Sequence, residues 1–138
     1  MIDTKWAFQR YESLRAALPS AAFCQTFRTG RDLSDTAPDF DAYILDAFGV
    51  LNIGETAIDG VPERVARLQK AGKRVVVVSN AAGYPHVDLM AKYARLGYDF
   101  APEDVITSRK TTLQGLTSKG PLKWGLMATQ SLGRGDLE

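Results

Sequence analysis

Apolar residues recur along this chain at changing intervals, and each change marks an element. From Lys5 to Leu18, "KWAFQRYESLRAAL" brings Trp6, Tyr11, Leu14 and Leu18 round at near-helical spacing, with Pro19 just beyond. This predicts a helix that docks through one face. "RTGRDLSDTAPDFD", with Gly30 and Pro38, reads as a polar connector. "AYILD" (Ala42 to Asp46) then predicts a short buried strand. In "DGVPERVARLQKAG" Val61, Val65 and Leu68 share one helical face, Pro62 suits the first turn and Gly72 the stop. "KRVVVVSN" is the clearest strand, its four successive valines forming a run expected to be buried on both faces.

The alternation continues beyond that strand. "YPHVDLMAKYARLG" predicts a helix with Leu89, Tyr93 and Leu96 inward and Gly97 ending it. "EDVITS" predicts a brief third strand, "RKTTLQGLTSKG" a short helix and "KWGLMAT" a fourth strand. Strands alternating with helices imply right-handed βαβ units around a parallel sheet, an α/β Rossmann-like core. The division expected is an N-terminal helix and connector over 1–38, then the core over 39–138.

Bulk properties narrow the function classes. With 138 residues the chain can bury one core but scarcely two. At 45% hydrophobic and 24% charged it has the composition of an ordinary soluble domain. A formal net charge of +1 gives no electrostatic case for nucleic acid or an anionic membrane surface. No apolar stretch is long enough to span a bilayer, and the first residues lack a signal-peptide core, so a cytoplasmic location is expected. The single cysteine, Cys24, sits among small and apolar residues and reads as a quiet thiol. The single histidine, His86, offers no zinc cluster.

Candidate chemistry lies where strands end. In open α/β sheets ligands bind beyond the carboxyl ends of the strands. Asp46 follows "AYIL", and Ser79 and Asn80 follow "RVVVV". If the two strands are neighbours, these clusters face one crevice. The small-residue turn "NAAGYP" then leads into a helix, and its free backbone N–H groups make a natural anion cradle. Taken singly, an Asp after a strand is usually a turn former or cap, and "SN" is ordinary loop chemistry. Their placement at matching strand ends favours function.

"YILDAFGVL", "VVVVSN" and "EDVITS" together resemble the haloacid dehalogenase superfamily, over Asp41 to Ser108. Its first motif is an apolar strand ending in Asp-x-Asp-Gly, and its second an apolar strand ending in Ser or Thr. Only the flap-like "GVLNIGETAIDG", one helix and one strand separate Ser79 from Asp46. That interval resembles the branch that places its cap after the second motif, which includes p-nitrophenyl phosphatase-like and sugar- or nucleotide-phosphatase-like proteins. The resemblance implies Asp46 as nucleophile, attacking phosphorus to give an aspartyl-phosphate that water hydrolyses. It implies Mg²⁺ held by the Asp46 carboxylate and the Phe48 backbone carbonyl, with Ser79 and Asn80 contacting the phosphoryl group of a small phosphorylated molecule.

Two departures qualify that implication. Phe48 stands where the phosphatases carry a second Asp, which protonates the leaving group and activates water. An aromatic residue there is shared with the 2-haloacid dehalogenases, but those need far more chain between the two motifs. The lysine and late acids of the third and fourth motifs have no match: Lys110 and Lys119 are misplaced, and Gly135-Asp136 lies too near the end. A partial core lacking the cap and the C-terminal half is therefore expected, with self-association through exposed core surface. Three readings stay open: a Mg²⁺-dependent phosphohydrolase with half its catalytic set, a non-catalytic phosphate-binding or interaction module, and a carbon–halogen hydrolase.

Overall fold

The computed structural model describes residues 3–20, 22, 24, 26–125, 127 and 135–136. In chain order the elements are α1 (Thr4–Leu14), β1 (Ala42–Leu45), β2 (Asn52–Ile53), β3 (Thr56–Ala57), α2 (Val61–Lys70), β4 (Arg74–Ser79), α3 (His86–Arg95), β5 (Val105–Thr107) and α4 (Ser108–Thr117). The expected parallel sheet is present, with β4 between β1 and β5. Tyr43 lies opposite Val75, Leu45 opposite Val77, and Ser79 opposite Thr107. β2 and β3 form a separate antiparallel hairpin.

The order β1-β4-β5 decides where the core lies. Both crossovers step across the sheet in the same direction, and right-handed crossovers of that kind deliver their helices to one face. Val65 and Leu68 of α2 and Leu89 and Tyr93 of α3 accordingly pack with Tyr43, Leu45, Val75, Val77 and Val105. Tyr98 and Phe100 extend this core as a stacked pair 5.3 Å apart, with Tyr93 edge-on to both. The helix stops come where expected, with Gly72 and Gly97 both at positive φ.

Three expectations are corrected. The valine run of β4 is buried on one face: Val75 and Val77 are in the core, whereas Val78 is 43% exposed. Ile44, Val78 and Ile106 stand on the opposite face, which no helix covers among the described residues because α2 and α3 share the first face. Helix α1 forms, capped by the Asp3 carboxylate accepting from the Trp6 N–H at 2.7 Å, but none of its residues is buried. The connector is what meets the core, through Asp32 on Arg64 (2.9 Å) and the Thr36 and Tyr43 hydroxyls (3.2 Å). The expected fourth strand is absent at Lys123–Gly125 and Met127; the rest of "KWGLMAT" lies outside the described residues.

Leu51, fully buried, joins the core to the turn after β1. Leu51→Ala is expected to lower the unfolding free energy by about 2–4 kcal/mol, the usual cost of an unrelaxed core cavity. A urea titration returning a loss below about 1 kcal/mol would show that this turn is not part of the cooperative core.

Candidate functional site

Strand β1 delivers Asp46 to the carboxyl edge of the sheet, and the next residues fold into a tight turn. The Ala47 carbonyl accepts the N–H groups of Val50, Leu51 and Asn52 at 3.3, 2.8 and 3.2 Å. Gly49, at φ +82°, donates to the Asn52 carbonyl at 2.9 Å. A side chain at that φ would be strained, which is why glycine follows Phe48. The turn is secured from below by the Tyr98 hydroxyl, which donates to the Leu51 carbonyl at 2.6 Å. Burial pushes the Tyr98 phenol up to about 12, so it remains a donor at any ordinary pH.

Asp46 is exposed, and its Oδ1 accepts the Ala47 N–H at 2.7 Å. Ser79 is buried at the end of β4, and its Oγ accepts the Ala81 N–H at 3.2 Å. Asn80 is exposed. The two strands are hydrogen-bonded neighbours, so Asp46 and Ser79 leave adjacent strand ends. Strand pleating assigns Ser79 to the buried series with Val75 and Val77, and Asp46 to the alternate series with Ile44. Asp46 lies just past the last paired residue of β1, Leu45, whereas Ser79 is still paired with Thr107. Asp46 also helps burial raise the pKa of Tyr93 on α3, so its charge is felt on the helix-covered side.

Two oxygens here suit a hard cation. The Phe48 carbonyl accepts no hydrogen bond from a described residue, nor does Oδ2 of Asp46. The Phe48 side chain is 69% exposed and leaves that carbonyl unaffected by its identity. No cluster of three or more His, Cys, Asp or Glu side chains occurs among the described residues. A carboxylate and a carbonyl are oxygen donors of the kind that Mg²⁺ takes, with water and substrate completing its octahedron.

Other groups near these strand ends escape sequence reasoning. At the tip of the β2–β3 hairpin, Glu55 pairs with Lys92 of α3 at 2.7 Å and accepts the Tyr84 hydroxyl at 3.2 Å. The Lys92 hydrogen bond holds the Glu55 carboxyl below its ordinary pKa. Lys92 also lies 5.2 Å from the centre of the Tyr84 ring. These contacts tie the flap after Asp46 to the loop after Ser79. Lys110 is spent elsewhere, donating to the Pro102 and Val105 carbonyls at 2.8 and 3.1 Å. Asp136, dismissed on position alone, accepts from the buried Arg109 guanidinium at 3.0–3.1 Å, beside the loop after Ser79.

A strand leading to Asp46, a flap and a second strand ending in serine follow one another in the chain, and the model of one family matches it over residues 43–132: haloacid dehalogenase-like hydrolase. The chain belongs to the haloacid dehalogenase-like hydrolases. Human chronophin is 38% identical over 77 residues, which are 56% of this chain and 26% of chronophin. Human glycerol-3-phosphate phosphatase is 37% identical over 60 residues, 44% of this chain and 19% of that protein. The structure of p-nitrophenyl phosphatase from Archaeoglobus fulgidus aligns at a TM-score of 0.56 and 25% identity, covering 61% of this chain and 32% of that one. The chain spans about a quarter or less of the length of these curated relatives. Within the family, they belong to the p-nitrophenyl phosphatase-like branch to which the short interval between Asp46 and Ser79 points.

Proposed function

We propose that this protein is a phosphohydrolase acting on a small phosphorylated molecule, with Asp46 as its nucleophile. The observation that carries the reading is the parallel pairing of β1 with β4, which sets Asp46 beside the serine-ended strand and its amide-rich loop. A carboxylate oxygen of Asp46 attacks phosphorus, the bond from phosphorus to the ester oxygen breaks, and the leaving oxygen departs with the electron pair. Water then displaces Asp46 from phosphorus, releasing inorganic phosphate and restoring the carboxylate. The Ser79 hydroxyl and the amides after Asn80 hold the equatorial oxygens, and Asn80 supplies a further polar side chain at the rim.

The Asp46 carboxylate and the Phe48 carbonyl would hold Mg²⁺, which when bound neutralises charge on the transferring group. The relatives' names support phosphate monoesters as the substrate class: one is a glycerol-3-phosphate phosphatase and another a p-nitrophenyl phosphatase. Phe48 offers no proton to a departing oxygen, so turnover is slow unless the leaving group is a good one.

Acid-quenched mass spectrometry tests the covalent step. After incubation with p-nitrophenyl phosphate and Mg²⁺, the peptide carrying Asp46 is expected to gain the mass of one phosphoryl group, in a form that hydroxylamine releases. Neither label nor p-nitrophenol release would sink the nucleophile assignment and put a non-catalytic phosphate-binding module in its place.

A further inference from the structure

We infer that Ser108 and Arg109, at the start of α4, are positioning residues that hold the loop after Ser79 by its carbonyls and thereby aim its amides at phosphate. This inference rests on reading that loop as the phosphate cradle.

Four consecutive carbonyls carry it. The Ser108 hydroxyl donates to the Asn80 carbonyl at 2.9 Å and lies 3.2 Å from that of Ala81. Nη1 of Arg109 reaches the Ala82 and Gly83 carbonyls, each at 3.4 Å. Across a trans peptide the C=O and the following N–H point in opposite directions. Drawing the carbonyls of residues 80–83 toward α4 therefore turns the N–H groups of residues 81–84 the other way. Ala81 shows which way that is, because its N–H donates to the hydroxyl of Ser79. The N–H groups of Ala82, Gly83 and Tyr84 donate to no described residue. A run of open amides on the Ser79 side is a concave anion site of the kind successive peptide dipoles create.

The brace is itself anchored. Ser108 follows directly on β5, whose Thr107 lies opposite Ser79, so the serine arrives at loop height by strand register. The Thr107 side chain caps α4 by accepting the Lys110 N–H at 3.1 Å, which fixes the first turn carrying Ser108 and Arg109. Arg109 is buried and charge-paired with Asp136, so its fork is held in place. A loop of small residues, Ala81, Ala82 and Gly83, has no side chains with which to fix its own conformation. Ordering it from outside before the ligand arrives removes an entropic cost from phosphate binding.

Inorganic phosphate titrated into the ¹⁵N-labelled protein, followed by amide shifts, tests this directly. In the unaltered protein the Ala82, Gly83 and Tyr84 amides are expected to shift saturably. Ser108→Ala is expected to raise the phosphate Kd about tenfold, the effect of one lost positioning hydrogen bond. Ser108→Thr, which keeps the hydroxyl, should return the Kd to within about twofold of the original. Arg109→Lys keeps the charge but loses the fork, and should weaken binding while perturbing Ala82 and Gly83 most. Unchanged affinity in both Ser108→Ala and Arg109→Lys, with the unaltered protein binding through these amides, overturns the brace and leaves the cradle standing. Weakening that Ser108→Thr does not reverse also overturns it, as general damage to α4. No shift of the three amides in the unaltered protein overturns the cradle, and the brace with it.

Discussion

Asp46→Asn is expected to lower kcat/KM for p-nitrophenyl phosphate by at least about 10³-fold, as removal of a covalent nucleophile does. The substitution is close to isosteric, and the amide oxygen can still accept the Ala47 N–H that Oδ1 accepts now. Asp46 is exposed, so the core of Leu45, Leu51 and Val77 does not register the change. Loss of rate then reports chemistry: an amide neither attacks phosphorus nor attracts a cation as a carboxylate does. The control is a urea or thermal midpoint equal to that of the parent within error. A folded Asp46→Asn protein that keeps the parent rate would end the assignment of the nucleophile to this strand. A large loss in rate accompanied by a large loss in stability would instead place Asp46 in the turn's architecture.

The βαβ order is legible in the chain because it is written in local spacing. Val65 and Leu68, and Leu89 and Tyr93, recur at helical intervals and are closed by Gly72 and Gly97. Four valines flanked by Arg74 and Ser79 admit little but a strand. The same run hides which face is covered, since a strand with no polar positions carries no alternation to read. The side of the sheet taken by α2 and α3 follows from strand order, a property of the whole fold. "KWGLMAT" shows the opposite failure: its described residues, Lys123–Gly125 and Met127, are in no strand, and Trp124 and Met127 are exposed.

The candidate site divides along the same line. Asp46 and Ser79 are visible as polar residues that end apolar runs, and the resemblance assigns them roles. Their support is invisible because it comes from far along the chain, with Ser108 meeting a loop that begins 28 positions earlier. Lys92 does leave a signal. It falls between Leu89 and Tyr93 on the inward side of α3, and a charge there calls for a partner. The periodicity cannot say that the partner is Glu55 on the flap.

Phe48→Asp is expected to raise kcat/KM for an alkyl phosphate by about 10²-fold while changing that for p-nitrophenyl phosphate by no more than about threefold. The family pattern places an acid two residues after the nucleophile, and the exposed Phe48 side chain leaves room for one without disturbing the core. The turn survives the exchange, because the bonds that close it run between Ala47, Gly49, Leu51 and Asn52 backbones. The Phe48 carbonyl is retained, so the pair proposed to hold a cation is unchanged in kind. What changes is the supply of a proton. An alkoxide is a poor leaving group and gains from protonation as its bond to phosphorus breaks, whereas p-nitrophenolate departs without help. Using kcat/KM confines the comparison to the steps through phosphoryl transfer, so faster hydrolysis of the aspartyl-phosphate cannot counterfeit the effect. A substitution that is neutral in fold should leave the stability within about 0.5 kcal/mol of the parent. Equal gains on both esters would mean that the new carboxylate acts by some route other than protonating the leaving group. No gain on either, in a protein whose Asp46 still takes up phosphate, would mean that position 48 does not face the scissile oxygen, and that Phe48 does not limit the proposed reaction.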